Sequence, residues 1–437
     1  MPTAIKSREE LIRQLSIACE LEHGLCLQYL FTAFTLKSSL NEGGMTMEEF
    51  TYVRKWKANL LFIAAQEMLH LSQAGNLCAS IGCGINLLRP NFPQRPSYYP
   101  TNLPWGLWPF SQETIILYAL YERPVQWKTA PPSWLPDDPF RENTFQQLLA
   151  DAPIPKDPFG HLPDYFERPK ANSYKTIGEL YDAIALGFKD IPGELIVGPW
   201  EAQVSSSLVD LPQLIQISNR ESALQAIELI ISQGEGAPSD RIDSHFGFFV
   251  QMYSEYAQLK SQRPEFEPVR DVQSNPLSKL HVDNSFPGWR LIHDPYTRKV
   301  NNLNNNVYEL MLLMLRHTFN GISDPIAFRQ ALASASLRLM TGVIVPLGQT
   351  LTQLPMGNDG SPGAATRAKY AGPGFEIERT LPDLPFSSAA WQYFEEQLGF
   401  LGEASHNLSL VPDAPEVITS VTLTLRQIRN QLIQIER

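Results

Sequence analysis

Residues 47–81, MEEFTYVRKWKANLLFIAAQEMLHLSQAGNLCASI, form the most regular helical pattern in the chain. Trp56, Leu60, Ile63, Ala74, Leu77 and Ile81 recur in steps of three and four, the spacing that lines one face of an α-helix. Glu67 and His70 occupy two successive positions of that stripe, where a packed helix ordinarily carries leucine. Gly82 and Gly84 follow, and helices commonly end on glycine. The stretch therefore predicts a long core helix with a carboxylate and an imidazole one turn apart on its buried face.

Toward the N-terminus, Ser7 and Glu10 make an S-x-x-E capping box, and the pattern predicts a helix from Ser7 to about Ser38. Its stripe, Leu11, Leu15, Ala18, Glu22, Leu25 and Tyr29, is interrupted by Glu22. Glu20 and His23 repeat the Glu-x-x-His spacing, but Glu20 lies opposite the stripe, so Glu22 is the inward carboxylate and Glu20 a solvated or supporting residue. Toward the C-terminus a third helix is expected over about 173–189, with Ile177, Leu180, Tyr181, Ile184 and Phe188 as its packing face and Glu179 beside it. A fourth run, 221–233, breaks at Gly234 to Pro238 and restarts at Ser239 with the stripe Ile242, His245, Phe249, Met252, Tyr256, Leu259.

Between the second and third helices, about 87–170 reads as an insertion. It holds nearly half of the chain's 35 prolines together with Trp105, Trp108, Trp127 and Trp134, and proline at that density prevents long helices. The expected organisation is a bundle over 1–260, a Pro-, Asn- and Asp-rich connector over 261–305, and a C-terminal helical region over 306–437. That region should hold helices near 306–319, 325–353, 389–401 and 415–436.

With 437 residues, 43% hydrophobic and 19% charged, the chain is long enough for a sizeable core. The net charge of -11 is spread without a basic stripe, which speaks against nucleic acid. No charge-free apolar stretch is long enough to span a membrane, and residues 1–15 have no secretory pattern, so a cytoplasmic location is expected. Cys19, Cys26, Cys78 and Cys83 have neither zinc-knuckle nor CxxC spacing and read as small buried hydrophobes.

A buried carboxylate costs several kcal/mol unless something positive compensates it. The stripes holding Glu22, Glu67, His70 and His245 contain no lysine or arginine, so a metal ion is the simplest compensating charge. Glu67 and His70 can bind one ion while Glu67 bridges to a second. Oxygen ligands with a few imidazoles and no thiolate suit iron, with manganese as the alternative. Glu235, flanked by two glycines, can reach back toward the bundle centre, and Glu228, seven residues earlier, competes for that role.

Leu21-Glu22-His23 with Gln28-Tyr29, Glu67-Met68-Leu69-His70, Ile177-Gly178-Glu179-Leu180-Tyr181, and Gln233-Gly234-Glu235-Gly236 followed by Ser244-His245 occur in that order. Together with the late Ala371 to Phe375 stretch, they resemble the ferritin-like domain of iminophenyl-pyruvate dimer synthases, which couple indole-pyruvate imines in bisindole biosynthesis. The resemblance implies a mainly α protein: a ferritin-like four-helix bundle with a Pro- and Trp-rich insertion and an additional C-terminal helical region. It also implies a metal site in the bundle's middle, to which it adds Glu179 and Glu235, giving the set Glu22, Glu67, His70, Glu179, Glu235 and His245. Tyr29 and Tyr181 are expected beside it, as hydrogen-bond donors or electron relays.

Two function classes fit. One is an iron-dependent oxidase, oxygenase or oxidative coupling enzyme, with one or two ions, acting with O2 or peroxide on a small organic molecule such as an amino-acid-derived imine in secondary metabolism. The other is a non-catalytic metal-binding or interaction protein built on the same bundle. A small-molecule substrate is the expected partner, and homo-oligomerisation through the C-terminal helices is left open.

Overall fold

The computed structural model describes residues 4–94, 103–125, 174–209, 211–234, 241–279, 290–358, 360, 368–377, 382, 384 and 386–435. They divide into two compact units. The first comprises 1–83, 93–198 and 215–269, and the second 84–92, 199–214 and 270–437.

The first unit is organised by α1 (Arg8–Thr35) and α2 (Met47–Ser80), which pack against each other more extensively than any other pair. The predicted stripes of both helices are buried along their whole length. From Leu21 to Tyr29 every residue of α1 is buried, so this helix lies in the middle of its unit. The N-terminus of α2 carries a complete capping box: Glu49 N donates to Thr46 Oγ1 (3.2 Å) and Thr46 N to Glu49 Oε2 (2.6 Å). At α1 only half of the expected box forms. Glu10 N donates to Ser7 Oγ (3.1 Å), but the Glu10 carboxylate takes Lys6 N (3.2 Å) instead of Ser7 N.

The short α3 (Gln112–Tyr121) lies within the stretch expected as an insertion, yet it packs along α6 (His245–Gln262) as part of the bundle. It is buried from Thr114 to Tyr121, and that apolar run supplies the driving force which proline-rich flanks do not. Trp105 and Trp108 are buried as well, while Trp127 and Trp134 lie outside the described residues. The expected third helix is α4 (Ile177–Asp190), with Ile177, Leu180, Tyr181, Ile184 and Phe188 all buried; it packs on α1 and on α5 (Arg220–Gln233). The last helix of the unit starts six residues later than expected, at His245 with Ser244 as N-cap. Ile242 is consequently outside the helix and 57% exposed.

The turn between α1 and α2 is tied to the end of α6. Gly44, at φ +76°, sits where an added Cβ would lie 2.8 Å from Glu267 Cβ, and its carbonyl accepts from Glu267 N (2.9 Å) and Arg263 Nη2 (2.8 Å). Arg263 also forks onto Glu49, Nε to Oε1 at 2.7 Å and Nη2 to Oε2 at 2.6 Å.

The second unit is also helical: α7 (Pro295–Asn320), α8 (Ile326–Leu339), a π-turn at Met340–Ile344, α9 (Val345–Leu351), α10 (Ser387–Ser409) and α11 (Glu416–Ile433). The π-turn precedes Pro346, whose ring would meet the carbonyl four residues back in a regular helix, and the wider turn relieves that clash. The start of α7 at Pro295 moves the helix well into the expected connector. Asp294 caps it and Pro295 takes a position where no amide donor is needed. The asparagines that make 301–306 look irregular are instead a buried polar face. Asn301 Oδ1 and Asn305 Oδ1 accept the backbone N–H groups of Gly374 and Glu376 (3.0 and 3.2 Å), which holds the Ala371 to Phe375 stretch without a regular ladder. Among the described residues, one helical run, Ile326–Leu351, is long and apolar enough to cross a membrane, and half of its apolar window is buried within the protein.

Candidate metal centre

Glu22 projects from the middle of α1, Glu67 and His70 from the middle of α2, Glu122 from the C-cap of α3, and His245 from the first position of α6. All five side chains are fully buried. Glu67 stands at their centre: its Oε2 is 3.0 Å from His70 Nδ1 and its Oε1 is 3.1 Å from His245 Nδ1. Each imidazole also faces a second carboxylate, His70 Nδ1 lying 3.7 Å from Glu22 Oε2 and His245 Nδ1 lying 3.5 Å from Glu122 Oε2. The result is two histidine-glutamate pairs on either side of one shared carboxylate, with ring centroids 5.6 Å apart.

The surroundings repeat the same twofold pattern. Tyr181 donates its O–H to Glu22 Oε1, and Tyr29 donates to Glu122 Oε1. His70 Nε2 is 3.1 Å from Gln233 Oε1, and His245 Nε2 is 3.1 Å from Gln66 Oε1. Apolar and aromatic side chains seal the Glu122 side: Tyr29 packs on Tyr118 (4.7 Å) and Phe249 (5.1 Å), and Trp105 stacks on Tyr121 (4.8 Å). At the end of α5, a Cβ on Gly234 would lie 2.9 Å from His245 Nδ1 and 3.2 Å from His70 Cε1, so only glycine fits this close.

The electrostatics separate the three carboxylates. Burial pushes Glu22 up to about 7, against the opposing pull of His70. Burial likewise raises Glu122, against His245. At Glu67 burial acts in the same direction, but the facing imidazoles of His245 and His70 outweigh it and hold the carboxyl below the usual range. His245 would be lowered by burial, and the facing charges of Glu67 and Glu122 raise it to about 9 instead.

The residues fit a metal. Among the described residues, Glu22 Oε2, Glu67 Oε1, Glu122 Oε2 and His245 Nδ1 are buried without a hydrogen-bond partner, and all four belong to the cluster. The triads Glu22, Glu67, His70 and Glu67, Glu122, His245 each bring one donor atom per residue within 4.8 Å of the others. Two donors bound side by side to an ion at about 2.1 Å lie about 3 Å apart, close to the 3.0 to 3.7 Å separations between each histidine and its carboxylates.

Of the six residues expected from the sequence, Glu22, Glu67, His70 and His245 are brought together. Glu179 is not. As the third residue of α4 it turns back along the chain, its Oε2 accepting Lys175 N (2.6 Å) just before the Thr176 N-cap, and Tyr181, two positions on, is the residue that reaches Glu22. Its place is taken by Glu122, whose signal was the stripe Ile115, Tyr118, Glu122 at steps of three and four. Glu235 lies outside the described residues, and Glu228 is exposed on α5. Glu20 is half-buried and outside both triads. The cysteines are not ligands here: Cys19, Cys26 and Cys78 are buried and Cys83 half-buried, with Cys19 Sγ 3.9 Å from Cys78 Sγ.

Comparison with known proteins agrees with this architecture. A family model described as ferritin-like matches residues 15–258. The chain is 24% identical to a dichlorochromopyrrolate synthase from Lentzea aerocolonigenes, over 94% of its own length and 40% of that protein's. It is 26% identical to a 2-imino-3-(indol-3-yl)propanoate dimerase from Chromobacterium violaceum, over 82% of its own length and 33% of the relative's. It thus spans about a third to two-fifths of these curated relatives. A crystal structure of a ferritin-like protein from Caulobacter vibrioides aligns with a TM-score of 0.44 and 17% identity, covering 76% of this chain and 96% of that one. With the matched region running from within α1 to near the end of α6, and so containing all five clustered residues, the chain belongs to the ferritin-like family.

Proposed function

We propose that this chain is a metal-dependent oxidoreductase that holds two iron ions on Glu22, Glu67, His70, Glu122 and His245 and acts with O2 or peroxide on a small organic molecule. The observation that carries the reading is Glu67, a fully buried carboxylate whose two oxygens each face a different histidine-glutamate pair. A carboxylate so placed is suited to bridge, and each flanking pair completes one ion's protein ligands. The all-oxygen-and-imidazole donor set favours iron, with manganese as the competitor. The similarity to a 2-imino-3-(indol-3-yl)propanoate dimerase supports an amino-acid-derived imine in secondary metabolism as the substrate class.

Iron held there would relay electrons from the substrate to O2 or peroxide, the oxidant. The protein's own contribution is to keep bulk water away with Tyr118, Phe249 and Tyr121, and to orient the carboxylates by donating the Tyr181 O–H to Glu22 Oε1 and the Tyr29 O–H to Glu122 Oε1. Because the tyrosines bond the carboxylate oxygens turned away from the histidines, Glu22 Oε2 and Glu122 Oε2 remain directed inward.

The test is to purify the protein from iron-replete cells and quantify iron and manganese, with Glu67→Ala and His70→Ala beside it. About two ions per chain are expected in wild type, with both lost in Glu67→Ala and one lost in His70→Ala. A protein that carries no transition metal refutes the proposal, and metal without O2 or peroxide consumption reduces it to a metal-binding protein.

A further inference from the structure

Two glutamines take no part in holding charge at the cluster, yet each touches one of its histidines. Gln66 Oε1 lies 3.1 Å from His245 Nε2, and Gln233 Oε1 lies 3.1 Å from His70 Nε2. Each pair joins two elements: Gln66 of α2 meets the first residue of α6, and Gln233, the last residue of α5, meets the middle of α2. Both glutamines are half-buried, whereas the histidines are fully buried. The outward edge of each imidazole is therefore the edge a glutamine covers, and the inward edge is the one facing Glu67.

A neutral imidazole carries one N–H, and only its other nitrogen has a lone pair to give a metal. An amide carbonyl oxygen can accept a hydrogen bond but cannot donate one, so it retains the proton on Nε2. The lone pair is left on Nδ1, the atom 3.0 Å from Glu67 Oε2 in His70 and 3.1 Å from Glu67 Oε1 in His245. We infer that Gln66 and Gln233 are positioning residues that fix which nitrogen each histidine turns to metal, one glutamine for each half of the centre. The inference rests on the metal reading above and adds a division of labour to it. Partners of this kind are often carboxylates. A neutral amide orients the ring without adding a negative charge to a site that already buries three carboxyl groups.

The division makes the test specific. Metal-free protein is titrated with manganous and zinc ions by calorimetry, for wild type and for Gln66→Leu, Gln233→Leu, Gln66→Glu and Gln233→Glu, with circular dichroism to show that each is folded. Each leucine variant is expected to weaken one of the two bound ions by about 10–100-fold and leave the other unchanged. The glutamate variants, which keep an acceptor and add a charge, are expected to retain both ions and to lower the reduction potential of the iron-loaded centre. Leucine variants that bind both ions like wild type overturn the inference. So do leucine and glutamate variants that weaken binding equally, since that marks a packing role. If the leucine variants do not fold, glutamate variants with an unchanged potential overturn it. A wild type that binds no ion removes the metal reading itself, an outcome distinct from failure of the variants alone.

Discussion

Glu22→Gln separates the cost of the centre from its use. Glu22 is fully buried, with Oε1 accepting from Tyr181 and Oε2 3.7 Å from His70 Nδ1, and burial raises its carboxyl from 4.5 to about 7. A folded-state value above the unfolded one means that the folded protein holds this proton more tightly. The folded state therefore bears no cost below about pH 4.5, and loses stability as the pH rises through 7. At about 1.36 kcal/mol per pH unit, the full loss is about 3 kcal/mol. Glutamine keeps the shape and an acceptor for Tyr181 but cannot ionise. In chelator, Glu22→Gln is thus expected to be more stable than wild type at pH 8 by up to about 3 kcal/mol, about 6–12 °C in Tm for a domain of this size class, and by less than about 1 kcal/mol at pH 5. Ferrous ion at about 1,000 times Kd should reverse the order at pH 8, because it adds about 4.1 kcal/mol to wild type and much less to a variant short of one anionic ligand. Urea unfolding at the two pH values, with and without metal, reads all four numbers. A metal-free Glu22→Gln protein that is no more stable at pH 8, or that shares the wild-type pH slope, refutes the reasoning.

Three further outcomes follow from other parts of the first unit. The Arg263 fork holds the Glu49 carboxyl down at about 2, so this pair contributes stability that is present above about pH 4.5 and lost as the pH falls toward 2. Glu49→Gln should lower stability at pH 7 and flatten the acid limb of a pH-dependent melting series, and an unchanged acid limb would show the fork to be idle. Phe249→Ala removes a fully buried ring that packs on Tyr29 and Tyr118, and is expected to cost about 3–5 kcal/mol in urea unfolding and to weaken metal retention through the loosened Tyr29. Stability lost with metal content intact would detach Tyr29 from the centre. At Gly198 an added Cβ would lie 1.7 Å from the carbonyl oxygen of Ala79, backbone against which no side chain can rotate away. Gly198→Ala should therefore cost at least about 1–3 kcal/mol, whereas Gly193→Ala, with nothing within 4 Å, should cost less despite its φ of +82°. Equal melting temperatures for the two would contradict the close approach.

The helices that carry Glu22, Glu67 and His70 were legible because one physical quantity decides them. Burying an apolar stripe dominates the energy of a long helix, and a polar residue within that stripe is visible as an exception. His245 was legible on the same ground, although the helix it opens starts later than its stripe suggests. There the Ser244 cap, not the apolar pattern, sets the boundary: Gly247 N donates to Ser244 Oγ, and Ile242 is left in solvent. In the second unit the asparagines of α7 hid a helix for the complementary reason. Their side chains satisfy the backbone of a distant irregular stretch, and no local pattern reports a partner more than seventy residues away.

Glu122 and Glu179 show where periodicity stops being informative. Both sit at a helix end, and a carboxylate at a helix end has two uses that look alike in sequence: it can cap its own helix or leave it. Glu179 is at the N-terminal end, where the positive end of the helix dipole favours it and the backbone N–H groups of the incoming chain are in reach, and Lys175 N, just before the N-cap, takes it. Glu122 is at the C-terminal end of α3, where carbonyls crowd and a carboxylate has no local donor to cap. It is repelled from its own helix and is stable only where Tyr29 and the His245 imidazole receive it. The polarity of the helix end therefore distinguishes the two cases, and a buried glutamate at a C-terminus is the stronger candidate for a distant cation.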